Sequence, residues 1–497
     1  MLDMVTLPFW MVIAGAGLAA IAVADRMLLP VLRWLLARRR ERALEKLNAR
    51  LSLRIRPFKL APRRALVEQL MLDPEVLTAI ENEARTTGHS ASRAAADARR
   101  YAWEVVPAFS AYTYFRFGTA AARRLSTWLY RVRLVGSDPA DLARIDPEAT
   151  VVFILNHRSN MDYVLVTYLA ASRSALSYAV GEWARVPGLE RLIRAMGGYF
   201  VRRDSSNPLY RRVLSRYIRM ATAAGTTQAV FPEGSLSRDG ALKPARLGII
   251  SYIVGGFDPH GARDVVFVPV GINYDRVLED RVLVGAAGAQ KGERPKFAFN
   301  PRIFSRFLWR NLTGRLTGSW YRYGYAGVAF GSPISLRAWL RDRGFDPRTS
   351  PPEQRKLEIE RLGNRLIAAA GDVVPALPVS LAASALAGLG NAPVSMLDLK
   401  AAIAALMRDL RRRGAIVHVP RADEDYAVTF GIRMLVLRGF LEERDGLLYP
   451  NPKEAAMLAY YANSLAHLRP APTTAQTGVP QADLAPVVAE LAANPVR

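Results

Sequence analysis

The chain has 497 residues, no cysteine and five histidines, and 68 lysines and arginines against 44 acidic residues give a formal net charge of +24. That length predicts two or three units with ample core. The missing cysteines exclude disulfides and thiol nucleophiles and fit a reducing compartment. His89, His157, His260, His418 and His467 show no metal-ligand spacing, so neither a metal nor another cofactor is expected. The charge asks for anionic partners: phosphorylated substrates, anionic lipid, acidic carrier proteins or nucleic acid.

Residues 4–24 are uncharged, overwhelmingly apolar and long enough to cross a bilayer. Asp3 precedes them without a Lys or Arg, which argues against a cleaved signal peptide. Arg26, Arg33 and Arg38-Arg39-Arg40-Glu41-Arg42 follow, and the positive-inside rule then places the rest of the chain in the cytoplasm. The alternative is a buried or re-entrant hydrophobic helix, favoured by Ala14-Gly15-Ala16-Gly17. Residues 43–134 read as helical and rich in Ala, Arg and Leu. Their aromatics, Trp103, Phe109, Tyr112, Tyr114, Phe115 and Phe117, are expected to be core rather than membrane surface. The turn-rich residues 136–141 mark a joint.

Residues 149–155 form a short, β-branched apolar run that predicts a buried strand, and residues 163–169 suit a helix. Between them lies Asn156-His157-Arg158-Ser159-Asn160-Met161-Asp162. A His on such a turn and an Asp five positions later, in the first helical turn, can meet; the carboxylate then fixes the imidazole tautomer and makes a general base. The alternative is that His157 caps the helix and Asp162 satisfies a backbone amide. Further strands are predicted at 177–180 and 197–203, the latter ending in Arg202 and Arg203, of which alternation lets one face a site. The next strand and turn, 229–240, carries Glu233, Gly234, Ser235 and Arg238, with Lys243 just beyond. Glycines allow close backbone approach and the cations suit phosphate, so these residues are read together as a polyanion pocket. Residues 265–274 close the series as a buried strand. The alternation predicts an α/β layer architecture. No serine-hydrolase elbow, Walker loop or Rossmann glycine fingerprint is present.

In these four stretches the sequence resembles the membrane-bound glycerolipid acyltransferases, whose first block is H-x-x-x-x-D, here His157 to Asp162. The second block looks like residues 198–203, the third like Phe231-Pro232-Glu233-Gly234 with Ser237-Arg238, and the fourth like Val268-Pro269-Val270. The wording around His157, the paired arginines, Gly271-Ile272-Asn273-Tyr274-Asp275 and residues 460–468 are similar to the large bacterial glycerol-3-phosphate 1-O-acyltransferases. That resemblance implies a mixed sheet with flanking helices at 136–345. It also implies His157 as base with Asp162, and Arg202, Arg203, Glu233, Gly234, Ser235, Arg238 and Lys243 around the acceptor. The expected donor is acyl-CoA or an acyl carrier protein, the acceptor glycerol-3-phosphate, with membrane lipid as a partner, no nucleic acid, and the inner membrane's cytoplasmic face as the location. Backbone amides near the turn, such as that of Gly234, would serve the oxyanion. One departure stands out: the branch usually reads Glu-Gly-Gly-Arg-Ser-Arg where this chain has Glu233-Gly234-Ser235-Leu236-Ser237-Arg238, which puts acceptor identity in question. Lysophosphatidate and dihydroxyacetone phosphate are the alternative acceptors. A non-catalytic, membrane-tethered basic binding protein is the alternative of another class.

Residues 296–325 interleave aromatics with arginines, as an interfacial membrane surface would. Residues 397–412 and 428–441 with a hairpin over 442–452 suggest a small winged-helix-like unit of accessory role, and 470–480 a disordered tail. The expected organisation is an anchor at 1–42, a helical region at 43–135, the acyltransferase core at 136–345, a mostly helical domain at 346–469 and a tail at 470–497.

Overall fold

The structure, a computed structural model, describes residues 8–469 except 24–25, 27–28, 50, 52, 137–138, 171–174, 182–183, 187, 203–205, 289–308, 310–322 and 391. Two units make up the chain: residues 1–238 with 243–375, and residues 239–242 with 376–497.

The first unit is built on a mixed sheet of β1 (Arg131–Leu134), β2 (Thr150–Leu155), β3 (Ser177–Gly181), β4 (Gly198–Val201), β5 (Gln228–Val230), β6 (Val265–Tyr274), β7 (Tyr325–Phe330) and the short β8 (Ile334–Ser335). Its order is β1-β7-β6-β2-β5-β3-β4, with β8 on β6. From β6 to β4 all neighbours are parallel, whereas β7 runs antiparallel to β6. Every residue of β2, β6 and β7 is buried, as their unbroken apolar sequences require of strands covered on both faces.

A proline within a central strand ordinarily costs a ladder hydrogen bond. Pro269 escapes this because β6 changes partner there: β7 pairs with Val270 to Tyr274 and β8 with Val266 and Phe267. The Pro269 carbonyl accepts from the Gly331 N–H on that side, so the missing N–H would have pointed into the gap between β7 and β8.

Side-chain alternation splits β2 between two layers. Val152 and Ile154 enter the large core with Leu66, Val67, Val76, Ala98 and Val105 from the helices Arg63–Met71, Pro74–Thr87 and Ala91–Val105. Leu214 and Ile218 of helix Pro208–Ala223 and Leu362 and Leu366 of helix Pro352–Asp372 join the same core. Shared burial therefore merges residues 63–105 and 352–372 with the sheet, and the expected divisions at 135 and 346 do not separate compact units. On the other face helix Met161–Ala170 packs against helix Thr119–Leu129. The aromatics before that helix divide: Tyr114 is fully buried, while Trp103, Tyr112 and Phe117 are exposed rather than core.

Of the expected span over 4–24, the described part is helix Phe9–Val23, 15 residues long. The helix that follows, Leu29–Asn48, is arginine-rich, so the apolar stretch does not continue, and no helix among the described residues is long and apolar enough to cross a membrane. Arg203, residues 1–7, the tail and nearly all of 296–322 lie outside the described residues.

In the second unit the helices Pro378–Leu389, Met396–Arg412 and Glu424–Leu437 precede a hairpin of β10 (Leu441–Arg444) and β11 (Leu447–Pro450). The strand β9 (Val394–Ser395) pairs antiparallel with β11, completing a winged-helix-like order of helix, strand, two helices and hairpin. Asp445 and Gly446, with φ of 52° and 76°, form the tight turn that an Asp-Gly pair favours.

Candidate active site

Because β6, β2, β5, β3 and β4 are parallel, their carboxyl ends share one edge, where ligands bind in open α/β sheets. His157 follows β2 on that edge. Its Nδ1 lies 2.9 Å from Oδ2 of Asp162, in the first turn of helix Met161–Ala170, and both side chains are buried. The same carboxylate oxygen accepts the N–H groups of Arg158 at 2.7 Å and Ser159 at 3.0 Å, while Oδ1 accepts the Tyr274 hydroxyl at 2.7 Å. With Nδ1 bound to the acid, Nε2 carries the imidazole lone pair. The ring leans on Phe231, centroids 4.3 Å apart, and meets Tyr163 edge-on. Asp162 thus satisfies backbone amides and orients the histidine at once.

The turn after β5 is fastened to this loop. Oε1 of Glu233 accepts the His157 N–H at 2.7 Å, Oε2 accepts the Lys243 N–H at 3.1 Å, and the Ser237 N–H donates to the His157 carbonyl at 3.0 Å. Burial pushes the Glu233 carboxyl above its ordinary range, opposed by the His157 amide and the Arg158 charge. Gly234 takes a φ of +67°, which favours glycine, and its amide donates to the Phe231 carbonyl. That amide is therefore engaged within the turn and does not serve the oxyanion as expected. The Lys243 ammonium donates to the Leu236 carbonyl at 2.7 Å and reaches Ser235 Oγ at 3.4 Å, closing the loop on itself. Arg238 is exposed. Arg202, just beyond β4, binds Glu104 through Nε and Nη2 at 2.9 and 2.8 Å, so any phosphate there would share it with that acid.

Two family models match, an acyltransferase domain over residues 138–273 and a glycerol-3-phosphate acyltransferase C-terminal region over 317–474. The chain thus carries an acyltransferase domain followed by a glycerol-3-phosphate acyltransferase C-terminal region. Its similarity to the glycerol-3-phosphate acyltransferase of Ectopseudomonas mendocina is 29% identity over 82% of this chain and 49% of that one. With the Pseudomonas paraeruginosa protein of the same name it is 29% over 86% of this chain and 52% of that one. The chain thus spans about half the length of the curated relatives it matches. A solved 1-acyl-sn-glycerophosphate acyltransferase, PlsC of Thermotoga maritima, aligns with 61% of this chain and 96% of its own at 19% identity and a TM-score of 0.28, a likeness too slight to carry an argument.

Just beyond this acyltransferase domain the structure adds residues that spacing alone did not point to. Tyr274 ends β6 and reaches Asp162 from 112 positions away. Glu279 accepts the Ser159 hydroxyl at 2.7 Å and the Asn160 N–H at 3.3 Å, holding the histidine loop from a third side. Burial raises the Glu279 carboxyl, and the Asp162 charge adds to that against the hydrogen bonds from Ser159 and Asn160. A carboxyl raised on folding binds more protons in the native than in the unfolded chain, so its contribution is full below the unfolded value and is lost as pH rises through the folded one. Glu279→Gln should therefore flatten the fall of urea stability as pH rises above about 4.5, the ordinary glutamate value. An unchanged slope would mean that Glu279 is not the group titrating. Among the described residues no three His, Asp or Glu side chains converge to hold a metal.

Proposed function

We propose that the chain transfers a fatty acyl group from an acyl thioester, of coenzyme A or acyl carrier protein, to the sn-1 hydroxyl of glycerol-3-phosphate. The product would be lysophosphatidate for phospholipid synthesis. The observation that carries this reading is the buried His157–Asp162 pair at the carboxyl edge of the parallel strands, with Nε2 left as base. In it, Nε2 takes the hydroxyl proton as the oxygen attacks the thioester carbonyl; the carbon–sulfur bond breaks, and the imidazolium returns its proton to the leaving thiolate. No acyl-enzyme is needed. The test is transfer from palmitoyl-coenzyme A and from an acyl carrier protein to labelled glycerol-3-phosphate, with lysophosphatidate as competing acceptor. Transfer only to lysophosphatidate would mean that Leu236 has changed the acceptor, and no transfer from either donor would favour the binding-protein alternative.

Arg246 supports phosphate recognition where the usual arginine is Leu236. Its backbone N–H donates to the Pro232 carbonyl at 2.7 Å, and its stem crosses Gly234 so closely that a Cβ there would stand 2.7 Å from Cδ. Arg238 and Arg246 are both exposed, and neither is ion-paired among the described residues. Arg246→Ala should raise KM for glycerol-3-phosphate about tenfold with little change in kcat, the loss expected for one charged hydrogen bond. An unchanged KM would assign the acceptor phosphate elsewhere.

The same proposal places the protein on the cytoplasmic face of the cell's inner membrane, in contact with lipid. Supporting it, helix Phe9–Val23 exposes Phe9, Trp10, Ile13 and Leu18, and Arg38 of the next helix lies 4.8 Å over exposed Trp34. Apolar side chains beside arginines suit a headgroup boundary. Flotation with phosphatidylglycerol vesicles should be lost on deleting residues 9–23, and flotation that survives the deletion would remove this helix as the anchor.

A further inference from the structure

Beyond β4, a recess of about 470 Å³ is lined by Arg63, Gly188, Glu190, Arg191 and Arg194. Its cations are poorly matched. The Arg63 side chain donates to two backbone carbonyls, those of Val106 at 2.9 Å and Trp103, and to no carboxylate among the described residues. Arg194 is buried and donates to the Glu104 carbonyl at 2.9 Å and to Glu190 Oε1 at 2.9 Å. Arg191 is exposed and has no ion pair among the described residues. Alongside, Arg185 and Arg202 share the one carboxylate of Glu104. Among the described residues, five arginines therefore stand against two glutamates. Burial first, then the neighbouring charge of Arg194, pulls the Arg63 guanidinium down to about 10, with Glu190 opposing. Like charges held together away from water are costly until an anion joins them.

We propose that the recess of Arg63, Arg191 and Arg194 is a phosphate site distinct from the catalytic turn, taking a phosphate carried by a larger ligand. Fixed guanidinium donors match phosphate oxygens, and the space holds a phosphorylated headgroup or nucleotide rather than a protein helix. Two ligands bring that chemistry: the nucleotide end of a coenzyme A thioester and the headgroup of an anionic phospholipid. Distance suits the first. With strands about 4.8 Å apart, β4 lies three steps, roughly 14 Å, from β2 and His157, a separation that the pantetheine arm can span. This source rests on the acyl-transfer reading; the phosphate site itself does not.

The test uses the full chain and Arg191→Glu, whose side chain is exposed and lies outside the histidine loop. Calorimetry would measure binding of free coenzyme A, and sedimentation would measure binding to phosphatidylglycerol against phosphatidylcholine vesicles. Weakening of coenzyme A by about tenfold or more, with vesicle binding unchanged, supports the site and names the donor nucleotide. Weakening confined to phosphatidylglycerol supports the site and names the headgroup. Wild-type and variant proteins that bind both alike would overturn it. A wild type that binds coenzyme A in this manner yet transfers no acyl group would fault the enzymatic reading and leave the site standing.

Discussion

Replacing His157 with Ala should lower kcat for acyl transfer by on the order of 10²- to 10⁴-fold, the range a positioned general base supplies. The ring has no second role that could carry activity in its absence: Nδ1 is committed to Asp162 at 2.9 Å, and the apolar faces of Phe231 and Tyr163 keep the imidazole in place. Truncation of this buried side chain costs about 1–3 kcal/mol of stability. Circular dichroism would show the variant still folded, so the loss would be chemical. Activity within a few-fold of wild type would mean that another group takes the proton and would sink the mechanism.

The second large effect is at Asp162, where two substitutions separate charge from hydrogen bonding. In Asp162→Asn the amide oxygen can replace Oδ2 and keep its three N–H donors, while the NH₂ turns to Tyr274, whose hydroxyl can accept as well as donate. The fold should survive, but the imidazolium formed during reaction has lost the carboxylate at Nδ1, and kcat should fall about 10²- to 10³-fold. Asp162→Ala instead strands all four donors around a fully buried position. It should cost several kcal/mol, at about 1–3 kcal/mol for each buried donor left without a partner. Chemical denaturation and steady-state rates measured on both variants distinguish the two outcomes. Equal destabilisation in Asn and Ala would show that the carboxylate is structural alone.

The histidine loop was legible because everything it needs is local: a β-branched run, a turn and an acid in the first helical turn. The burial of the strand and the His157–Asp162 contact follow from residues 149–162. Tyr274, Glu279 and Glu104 were not legible in the same way. Each reaches its partner across a sheet, and no spacing rule links position 104 to 202 or 279 to 159. Arg202 could be named as a cation, but only the structure shows it committed to Glu104. The apolar stretch at 4–24 reaches beyond the described residues at both ends, and its described part is the 15-residue helix Phe9–Val23. The helices at 63–105 looked separate because their amphipathic pattern says that a face is buried without saying against what.

Glu233 has a consequence for motion. Its two oxygens hold the amide of His157 and that of Lys243, one on each loop, and Ser237 returns a bond to the His157 carbonyl. Neither loop can open without breaking the other's hydrogen bonds, so His157, Glu233, Ser237 and Lys243 behave as one cooperative unit. In the proposed reaction, an acceptor held by Lys243 and its neighbouring cations would damp the same fluctuations that misalign the imidazole, and substrate affinity and catalytic readiness would rise together.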